Sequence, residues 1–486
     1  MVSRSPATGV WLGEVGILGQ AEVSAAVQAA RAAQPSWAEL DIHSRCRTLL
    51  RFRDVIVQSA DEIVDLLCRE CGKPRMEALV HEVMASTDLI THLCKKAPQW
   101  LASEQIPLHM LKHRAGYRYY APMGVVAVIS PWNYPFVIPM GDVVAGLLAG
   151  NAVVLKPSEI TPLVGLKIKE LYDRAGLMPD LFQVVSGDAH TGAALIESGV
   201  NKVVFTGSVA GGKKVAVACA ERLIPCTLEL GGKAAAIVCD DADVEQASQA
   251  IVFGGFANSG QICMSVERVY AHASVYEPVL QRVVALTQSL RQGDPASGEV
   301  DVGAIIFPRQ LEVAETLIQD AVAQGARVCT GGQRLPGQGM FFEPTVLADC
   351  TQDMRVMREE IFGPIVPVMR VQSDEDALAM TNDSELGLIN YVFSKNRTKA
   401  KHLAERVQSG VVMINSVLEA HACPEVPFGG VKQSGYGRVH GKEGLRSMCE
   451  LRHINYDRIP LKRLPYAFPY SERVYRWARR LLKWWF

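Results

Sequence analysis

The chain has 486 residues, of which 49% are hydrophobic and 21% charged, so it can bury a large core divided between at least two domains. Its formal net charge of -1 gives no reason to expect a nucleic-acid partner. The first residues lack the apolar core of a signal peptide, and prolines and polar residues interrupt the longest apolar region, Met123 to Leu155, so we expect neither export nor a transmembrane helix.

The first hundred residues are predicted to be helical, led by the alanine-rich segment Ala21 to Ala33. The helical pattern from Ile63 to Glu70 overlaps the one C-x-x-C spacing of the sequence, Cys68 to Cys71, for which we favour helix packing over a zinc or redox role. The other cysteines are scattered without metal-site spacing, and we assign no metal. This cysteine usage favours a reducing, cytoplasmic location.

Residues His109 to Tyr120 alternate around Ala115-Gly116 and predict a β-hairpin. From Gly124 to Val238, apolar strands alternate with helices, which is typical of a parallel, doubly wound sheet. The predicted strands are Val125–Ile129, Ala152–Leu155, Phe182–Val185 and Val203–Phe205. A second α/β unit is predicted from about Gly231 to Lys432, so the fold class is α/β.

The first of these strands ends abruptly in Ser130-Pro131, which leaves Trp132 and Asn133 on a loop at the carboxyl end of the strand. Ligands bind at this edge of open α/β sheets. The side-chain amide of Asn133 can donate a hydrogen bond to an oxyanion, and one such donor can lower a reaction barrier by about 2.7 to 4 kcal/mol. Asn133 is therefore a candidate oxyanion donor.

The segment from Lys156 to Glu159 connects a buried strand to a helix that starts at Thr161-Pro162. Here the Glu159 carboxylate can accept hydrogen bonds from ribose hydroxyls and would repel a 2′-phosphate, so we favour NAD over NADP. The sequence contains no G-x-G-x-x-G. Instead, Thr206 to Gly212 follows an apolar strand and opens a helix, whose N-terminal N–H groups can bind a pyrophosphate. An ordinary glycine-rich turn is the alternative.

Two further glycine-punctuated breaks carry a carboxylate, Glu229, and a thiol, Cys263. A helix predicted from Val244 to Phe256 and a strand from Val266 to Ala273 place Cys263 in a tight connection between them. The pair suggests a thiol nucleophile served by a carboxylate base. A lone cysteine is more often a small buried hydrophobe, and a lone Glu229 would serve equally to satisfy a backbone amide beside Gly231.

These segments and several others resemble the aldehyde dehydrogenase superfamily, from about Pro6 to about Ile454. In chain order the matching motifs are Pro122 to Phe136, Lys156-Pro157-Ser158-Glu159, Phe205-Thr206-Gly207-Ser208 with Gly212, the Glu229 and Cys263 segments, Glu359 to Pro364, and Pro427 to Gly435. The resemblance implies that Cys263 is the nucleophile, Glu229 the general base and Asn133 the oxyanion donor. Because members that pass the acyl group to coenzyme A generally lack this glutamate, it also implies hydrolysis of a thioester.

The resemblance further implies a cofactor site for NAD, with NADP as the alternative. Its residues are Ile129, Pro131, Trp132, Lys156, Ser158, Glu159, Gly187, Gly192, Phe205, Gly207, Ser208, Gly212, Leu230, Glu360 and Phe362. The implied domains are a Rossmann-type NAD-binding domain of residues 1–107 and 123–230, a catalytic α/β domain of residues 231–432, and a β oligomerisation arm of residues 108–122 and 433–457. A homodimer is expected, and a tetramer is the alternative.

Two positions depart from the family pattern. Many hydrolytic members carry a lysine and a glutamate that line the cofactor passage, and Asp142 and Val439 occupy these positions here. Because the lysine and the glutamate are both absent, a proton relay through that pair is in doubt, and more of the base role falls to Glu229.

The side chains beside the catalytic motifs are mostly apolar or aromatic, which favours a medium- or long-chain aliphatic, or an aromatic, aldehyde. The predicted substrate pocket contains Tyr134, Val137, Ile262, Met264 and Phe428. The loop from Ser416 to Val426 is expected to form its lip, with Glu419, His421 and Cys423 more often facing water than substrate. A semialdehyde or amino-aldehyde of amine or amino-acid breakdown is the nearest rival substrate.

Residues 458–486 form a C-terminal extension beyond the resemblance, in which Ser471 can cap an amphipathic helix. Val474, Trp477, Ala478, Leu481, Trp484 and Trp485 take one side, and Arg473, Arg476, Arg479, Arg480 and Lys483 take the rest. Such a helix can lie on an anionic membrane surface, and packing on a partner subunit is an equally weighted alternative. A catalytically silent, membrane-associated binding protein remains as a hypothesis from a different class.

Overall fold

The computed structural model describes residues 1–461, 464 and 467–485. Lys462, Arg463, Pro465, Tyr466 and Phe486, which belong to the predicted extension, lie outside the described residues. The described chain divides into two compact units, one of residues 1–100 and 122–449 and one of residues 101–121 and the described residues from 450 onward.

The helices are α1 (Gln20–Ala38), α2 (Ile42–Gln58), α3 (Ala60–Cys71), α4 (Arg75–Glu77), α5 (Ala85–Trp100), α6 (Val137–Leu148), α7 (Pro162–Arg174), α8 (Ala189–Glu197), α9 (Val209–Ala220), α10 (Val244–Phe256), α11 (Tyr276–Gln288), α12 (Pro308–Ala323), α13 (Arg355–Arg358), α14 (Asp374–Asn382), α15 (Arg397–Ala404), α16 (Gly441–Ser447) and α17 (Glu472–Trp485). A π-helical segment, Ala78–Met84, joins α4 to α5. Short 3-10 helices occupy Ala257–Gly260, Pro295–Ser297 and Glu419–Ala422.

The strands are β1 (Val2–Arg4), β2 (Trp11–Glu14), β3 (Glu104–Ile106), β4 (Arg114–Pro122), β5 (Val125–Ile129), β6 (Ala152–Lys156), β7 (Phe182–Val184), β8 (Lys202–Thr206), β9 (Cys226–Glu229), β10 (Ala234–Val238), β11 (Val266–His272), β12 (Arg327–Thr330), β13 (Thr345–Ala348), β14 (Ile365–Val371), β15 (Leu386–Gly387), β16 (Ile389–Phe393), β17 (Val411–Ile414), β18 (Val431–Lys432), β19 (Gly435–Tyr436) and β20 (Cys449–Asp457).

The first large sheet has the order β19-β9-β8-β5-β6-β7. Its strands run parallel except for β19, which pairs antiparallel with β9. Every residue of β5 and β6 is buried, as expected for central strands that helices cover on both faces. The predicted strand Val125–Ile129 is confirmed at both ends, and the other three predicted strands lie in this sheet with boundaries shifted by one residue or less.

The second sheet has the order β12-β13-β14-β11-β10-β16-β17, again parallel except at the β12 edge. The predicted helix Val244–Phe256 matches α10 at both ends, and β11 follows it as predicted. The α/β fold class with parallel sheets is therefore confirmed. In the helical N-terminal region, Cys68 and Cys71 are buried in α3, in keeping with the preferred packing interpretation.

In the second unit, β20, β4 and β3 form one sheet in that order. The predicted hairpin turn at Ala115-Gly116 is wrong, because both residues lie inside β4 and the reversal falls between β3 and β4. Close packing explains the glycine better than a turn does. A Cβ added at Gly116 would lie 3.0 Å from Nε2 of His453 and 3.2 Å from a methyl carbon of Leu108.

The predicted amphipathic helix is present as α17, and the Ser471 hydroxyl caps it by accepting the N–H of Val474 at 3.3 Å. None of its residues is buried, and the side chains of Trp477 and Trp484 are 57% and 83% exposed. Among the described residues, no helix has both the length and the apolar character needed to cross a membrane.

Candidate active site

One pocket in the first unit is lined by Glu229 at the end of β9, by Cys263 in the connection between α10 and β11, and by residues of α6. The end of β9 lies at the carboxyl edge of the first sheet, where open α/β folds bind ligands, and Cys263 precedes the amino end of β11. The pocket is lined by Ile138, Asp142, Thr206, Glu229, Leu230, Cys263, Leu388, His421, Phe428, Val439 and His440. The predicted base and the predicted nucleophile therefore share one pocket.

Glu229 is the last residue of β9, and its side chain is buried, with 4% of the residue exposed. Within the described residues, neither carboxylate oxygen has a hydrogen-bond partner. Burial, and then the charge of Asp142, raise the pKa of Glu229 well above its ordinary value, while Arg438 acts in the opposite direction. A buried carboxyl group without a partner is suited to exchanging a proton with a molecule in the pocket.

Cys263 is partly exposed and lies in the α10–β11 connection. Burial, followed by the charges of Glu360 and Glu229, raises the pKa of its thiol to about 12, and the backbone N–H groups of Cys263 and Met264 oppose this shift. The thiol is therefore protonated at neutral pH, and it needs a base in order to react as a thiolate. Glu229 is a carboxylate in the same pocket.

The backbone before Cys263 is strained. Asn258, Ser259 and Gly260 have φ angles of 48°, 55° and 72°, which two non-glycine residues adopt at some cost. The strain is held by hydrogen bonds from outside the loop. Glu77 accepts the N–H of Asn258 at 2.8 Å, and the Ser259 hydroxyl donates to the carbonyl of Gly303 at 2.9 Å. These contacts fix the position of the thiol.

Asn133 is buried and is tied to the cysteine loop at both ends. Its Nδ2 donates to the carbonyl of Gln261 at 3.0 Å, and its own carbonyl accepts a hydrogen bond from Asn258 Nδ2 at 3.0 Å. The amide nitrogen carries a second N–H that this bond does not use. Asn133 is not itself among the residues that line the pocket.

A buried ion pair that sequence reasoning missed supports the Asn133 loop. Lys73 contacts Glu82 at 2.5 Å, donates to the carbonyl of Asn133 at 3.1 Å, and lies 3.6 Å from the ring centre of Tyr134. Glu82 also accepts the N–H groups at the start of α6, including that of Val137 at 2.8 Å. Glu82 lies in the π-helical segment, a feature common at functional sites, and no local sequence pattern pointed to it.

Predicted cofactor residues from three neighbouring strands lie side by side. Ile129 at the end of β5 is in register with Lys156 on β6 and with Phe205 on β8. A Cβ added at Gly192 would contact the side chains of Lys156 and Ile129, so this glycine leaves room above the same edge. Lys156 is buried and points to Glu159, whose side chain lies 3.3 Å away.

The segment after β8 opens α9 as predicted, and the Ser208 hydroxyl caps this helix by accepting the N–H of Gly211 at 3.1 Å. Gly207 packs against the ring of Phe205, and Gly212 packs against Leu230, with no room for a Cβ at either position. The other predicted residues of this edge are Pro131 and Ser158 in the loops after β5 and β6, and Gly187 before α8.

Glu360 links the edge that carries the predicted cofactor residues to the segment after β9. Its carboxylate accepts the N–H of Gly232 at 2.9 Å, and burial together with the charge of Glu267 raises its pKa to about 8. Glu267, which sequence reasoning missed, pairs with Lys233 at 3.0 Å and accepts the N–H of Phe362 at 2.8 Å. The ring of Phe362 lies 5.3 Å from that of Trp132. Four of the residues predicted to bind the cofactor, Trp132, Leu230, Glu360 and Phe362, thus lie next to the Cys263 and Glu229 loops.

This arrangement of residues fits a dinucleotide. The N-terminus of α9 lies beside a glycine-rich turn and can bind the pyrophosphate. The side chain of Glu159 is 45% exposed and can accept hydrogen bonds from a ribose. Glu360 and Phe362 lie near the thiol, where the nicotinamide end would bind.

Of the five residues predicted for the substrate pocket, Phe428 lines the pocket, and Tyr134, Val137, Ile262 and Met264 are buried outside its lining. The preferred interpretation that His421 only faces water is wrong, because this partly exposed residue lines the pocket, with its ring centre 5.1 Å from that of Phe428. The wider fold brings His421 inward, which the loop sequence alone did not indicate. Asp142 and Val439 also line the pocket, and burial raises the pKa of Asp142 to about 7.

The chain as a whole is similar to known proteins. A model of the aldehyde dehydrogenase family matches residues 1–454. The chain is 37% identical over 473 residues to the 4,4'-diapolycopene aldehyde oxidase of Methylomonas sp, covering 97% of this chain and 88% of that protein. It is 38% identical over 454 residues to betaine aldehyde dehydrogenase 1 of Rhizobium meliloti (strain 1021), covering 92% of each.

Solved structures show the same similarity. The crystal structure of PnpE from Pseudomonas sp. WBC-3 is 34% identical, covers 96% of each chain and has a TM-score of 0.91. A second structure of PnpE, with 95% of each chain covered, is a complex with nicotinamide adenine dinucleotide.

Proposed function

The chain belongs to the aldehyde dehydrogenase family, and we propose that it oxidises a medium- or long-chain aliphatic, or an aromatic, aldehyde to the carboxylic acid. Oxidation of an aldehyde with a nicotinamide cofactor, NAD or NADP, is the activity of this family. The single observation that carries the catalytic assignment is the shared pocket of Cys263 and Glu229, with Asn133 hydrogen-bonded to the cysteine loop.

In the proposed mechanism, the Cys263 sulfur adds to the aldehyde carbon after its proton has passed to a base. The second N–H of Asn133 Nδ2 and the backbone N–H of Cys263 stabilise the resulting oxyanion. Glu159, Ser208 and Glu360 would hold NAD, which when bound would accept the hydride that leaves the former aldehyde carbon. A thioester on Cys263 remains.

Hydrolysis of that thioester is assigned to Glu229. The carboxylate removes a proton from a water molecule, the water oxygen bonds to the thioester carbon, and the carbon–sulfur bond breaks. The acid leaves and the Cys263 sulfur is regenerated. Support for Glu229 comes from its two oxygens, which lack a hydrogen-bond partner among the described residues, and from its place in the pocket.

Replacement of Asn133 by alanine is expected to lower kcat/KM for aldehyde oxidation by about 10²-fold or more, because one oxyanion donor is lost. Steady-state assays by absorbance of the reduced nicotinamide measure this effect. Alkylation of Cys263 by a thiol reagent, compared between variant and wild type, is the control for an intact cysteine loop. An unchanged kcat/KM would remove Asn133 from the mechanism.

The proposed substrate class is supported by the apolar part of the pocket lining, which includes Ile138, Leu230, Leu388 and Phe428. It is also supported by a relative named as an oxidase of diapolycopene aldehyde. The rival, an amino-aldehyde, is favoured by the acidic groups Asp142 and Glu229 in the same pocket and by a relative named as a betaine aldehyde dehydrogenase.

Initial rates with long-chain, short aliphatic, aromatic, cationic and carboxylate-bearing aldehydes test the substrate proposal, each with NAD and with NADP. We expect the highest kcat/KM for a long-chain or aromatic aldehyde, and a preference for NAD that Glu159→Gln reduces. A highest kcat/KM for a cationic aldehyde would favour the amino-aldehyde rival. A preference for NADP would contradict the role of Glu159.

We propose a cytoplasmic homodimer that contacts an anionic membrane surface through α17, and retain the domain boundaries given above as a proposal. Support for the membrane contact comes from the composition of α17, which carries five arginine or lysine residues and one glutamate beside exposed tryptophans. Cationic amphipathic helices with tryptophan bind such surfaces, and each basic residue contributes about 1 kcal/mol.

The variant Arg476→Glu with Arg480→Glu is expected to lower partitioning onto anionic phospholipid vesicles by roughly 30-fold or more, because it removes two cations from the helix. Cosedimentation measures this partitioning, with neutral vesicles as the lipid control. The matched control is Arg51→Glu with Arg309→Glu, which changes the net charge equally at exposed positions of the first unit. Equal binding by both variants would contradict membrane docking, and a changed mass in light scattering would favour packing of α17 on a partner subunit.

A further inference from the structure

Two buried groups in the Cys263 pocket have polar atoms that face no partner. Both oxygens of Glu229 and Nδ1 of His440 lack a hydrogen-bond partner among the described residues, and the two residues are only 4% and 8% exposed. Both line the same pocket. Burying a polar atom without a partner costs about 1 to 3 kcal/mol, so two such groups in one pocket indicate a functional role.

The backbone of His440 is strained as well. Its φ and ψ are 57° and 177°, a region that is essentially restricted to glycine. The strain is maintained by the pairing of Val439 with Phe428, whose N–H and carbonyl groups exchange hydrogen bonds at 2.8 and 2.9 Å. This pairing directs the His440 side chain into the pocket. Its Nε2 packs against α6, where a Cβ added at Gly141 would lie 3.3 Å from this nitrogen.

The imidazole ring of His421 lies next to that of His440. The rings of His440 and His421 lie 4.4 Å apart between their centres, at an angle of 65°. His421 is partly exposed, whereas His440 is buried. The two rings thus lead from the interior of the pocket toward solvent.

We propose that His440, backed by His421, relays the proton that Glu229 removes from water during hydrolysis of the thioester. The inference rests on the proposed function, since it concerns the fate of that proton. The proton moves from water to Glu229, from Glu229 to one nitrogen of His440, and then through His421 to solvent. His440 acts through Glu229 and is a positioning and relay residue.

The charged and titratable groups around His440 favour this role. Asp142 faces the pocket from α6, Glu229 from β9, Cys263 from the α10–β11 connection and His421 from the 3-10 helix Glu419–Ala422. Burial lowers the pKa of His421 to about 4, and burial and His421 together lower the pKa of His440 well below its ordinary value. Both rings are therefore neutral at rest, and a neutral imidazole can accept a proton at one nitrogen while it donates from the other.

The variant His440→Gly tests the relay. Glycine adopts the backbone conformation without strain, so the variant is expected to melt no lower than wild type. With aldehyde and NAD, we expect reduced nicotinamide from the first turnover at a rate within about twofold of wild type. Steady-state turnover should fall by about 100-fold, the lower end of the range for proton transfer by a positioned group. Acyl-enzyme should accumulate on Cys263, as measured by intact-protein mass spectrometry.

Free imidazole added to His440→Gly should raise turnover toward the wild-type rate, and it should leave Glu229→Gln unchanged because that block lies earlier. His421→Asn should show a smaller loss with the same acyl-enzyme. Unchanged steady-state turnover in His440→Gly would overturn the relay, as would an equal loss of first-turnover and steady-state rates without rescue. Absence of any reduced nicotinamide from wild type would instead refute the proposed function and the relay with it.

Discussion

Replacement of Cys263 by alanine is expected to lower NAD-dependent aldehyde oxidation by at least about 10⁴-fold, because the aldehyde carbon then has no thiol to add to it. The fold should be unaffected, since Cys263 is only partly buried and alanine is smaller. The measurement is the rate of nicotinamide reduction with the best aldehyde, together with the melting temperature of the variant.

Cys329→Ala is the matched control for Cys263→Ala. Cys329 is also a partly exposed free thiol, but it lies on the edge strand β12, outside the pocket. We expect this variant to retain wild-type turnover. Turnover by Cys263→Ala within about tenfold of wild type would show that another group carries the chemistry.

The second large effect is expected for Glu229→Gln, in which hydrolysis should slow by about 10³-fold while the first turnover is preserved. The carboxylate that activates water is lost, so acyl-enzyme accumulates. The first turnover requires only that another base takes the proton of the Cys263 thiol. Loss of the Glu229 charge should also lower the pKa of that thiol, because this charge is one of the causes that raise it. Rapid-mixing measurements separate the first turnover from the steady state.

The pH dependence gives an independent readout of Glu229. Because burial and Asp142 raise its pKa, the basic carboxylate forms at higher pH than for an ordinary glutamate. Turnover by wild type should therefore rise with pH as Glu229 loses its proton, and this limb should be absent in Glu229→Gln. The control is Asp142→Asn, which removes one cause of the raised pKa and should shift the limb to lower pH. A limb that stays in place in both variants would assign it to another group.

Local sequence patterns predicted those elements whose structure is determined by residues close to one another in the chain. The apolar run Val125–Ile129 is buried along its whole length and forms β5 with the predicted ends. Proline at the first helical position likewise marks the start of α7, and the Ser471 hydroxyl caps α17. In each case, side-chain size, backbone restriction or a short-range hydrogen bond is sufficient to specify the element.

Long-range contacts account for what the sequence did not reveal. Lys73 and Glu82 support the Asn133 loop from a helical region, and Glu267 holds the Phe362 segment 95 residues away. Nothing within a few residues of these charged side chains distinguishes them from solvated surface groups. His421 was likewise expected to face water, although the pairing of distant segments brings it against Phe428 in the pocket.

The central claim is that the aldehyde is oxidised as an acyl group on Cys263 and released by Glu229. The most direct test mixes Glu229→Gln with aldehyde and NAD, quenches the reaction in acid, and maps the protein by peptide mass spectrometry. The account predicts that the peptide containing Cys263 gains the mass of the acyl group, and that Glu229→Gln with Cys263→Ala shows no such gain. An unmodified Cys263 peptide in a sample that has formed one equivalent of reduced nicotinamide would contradict the account.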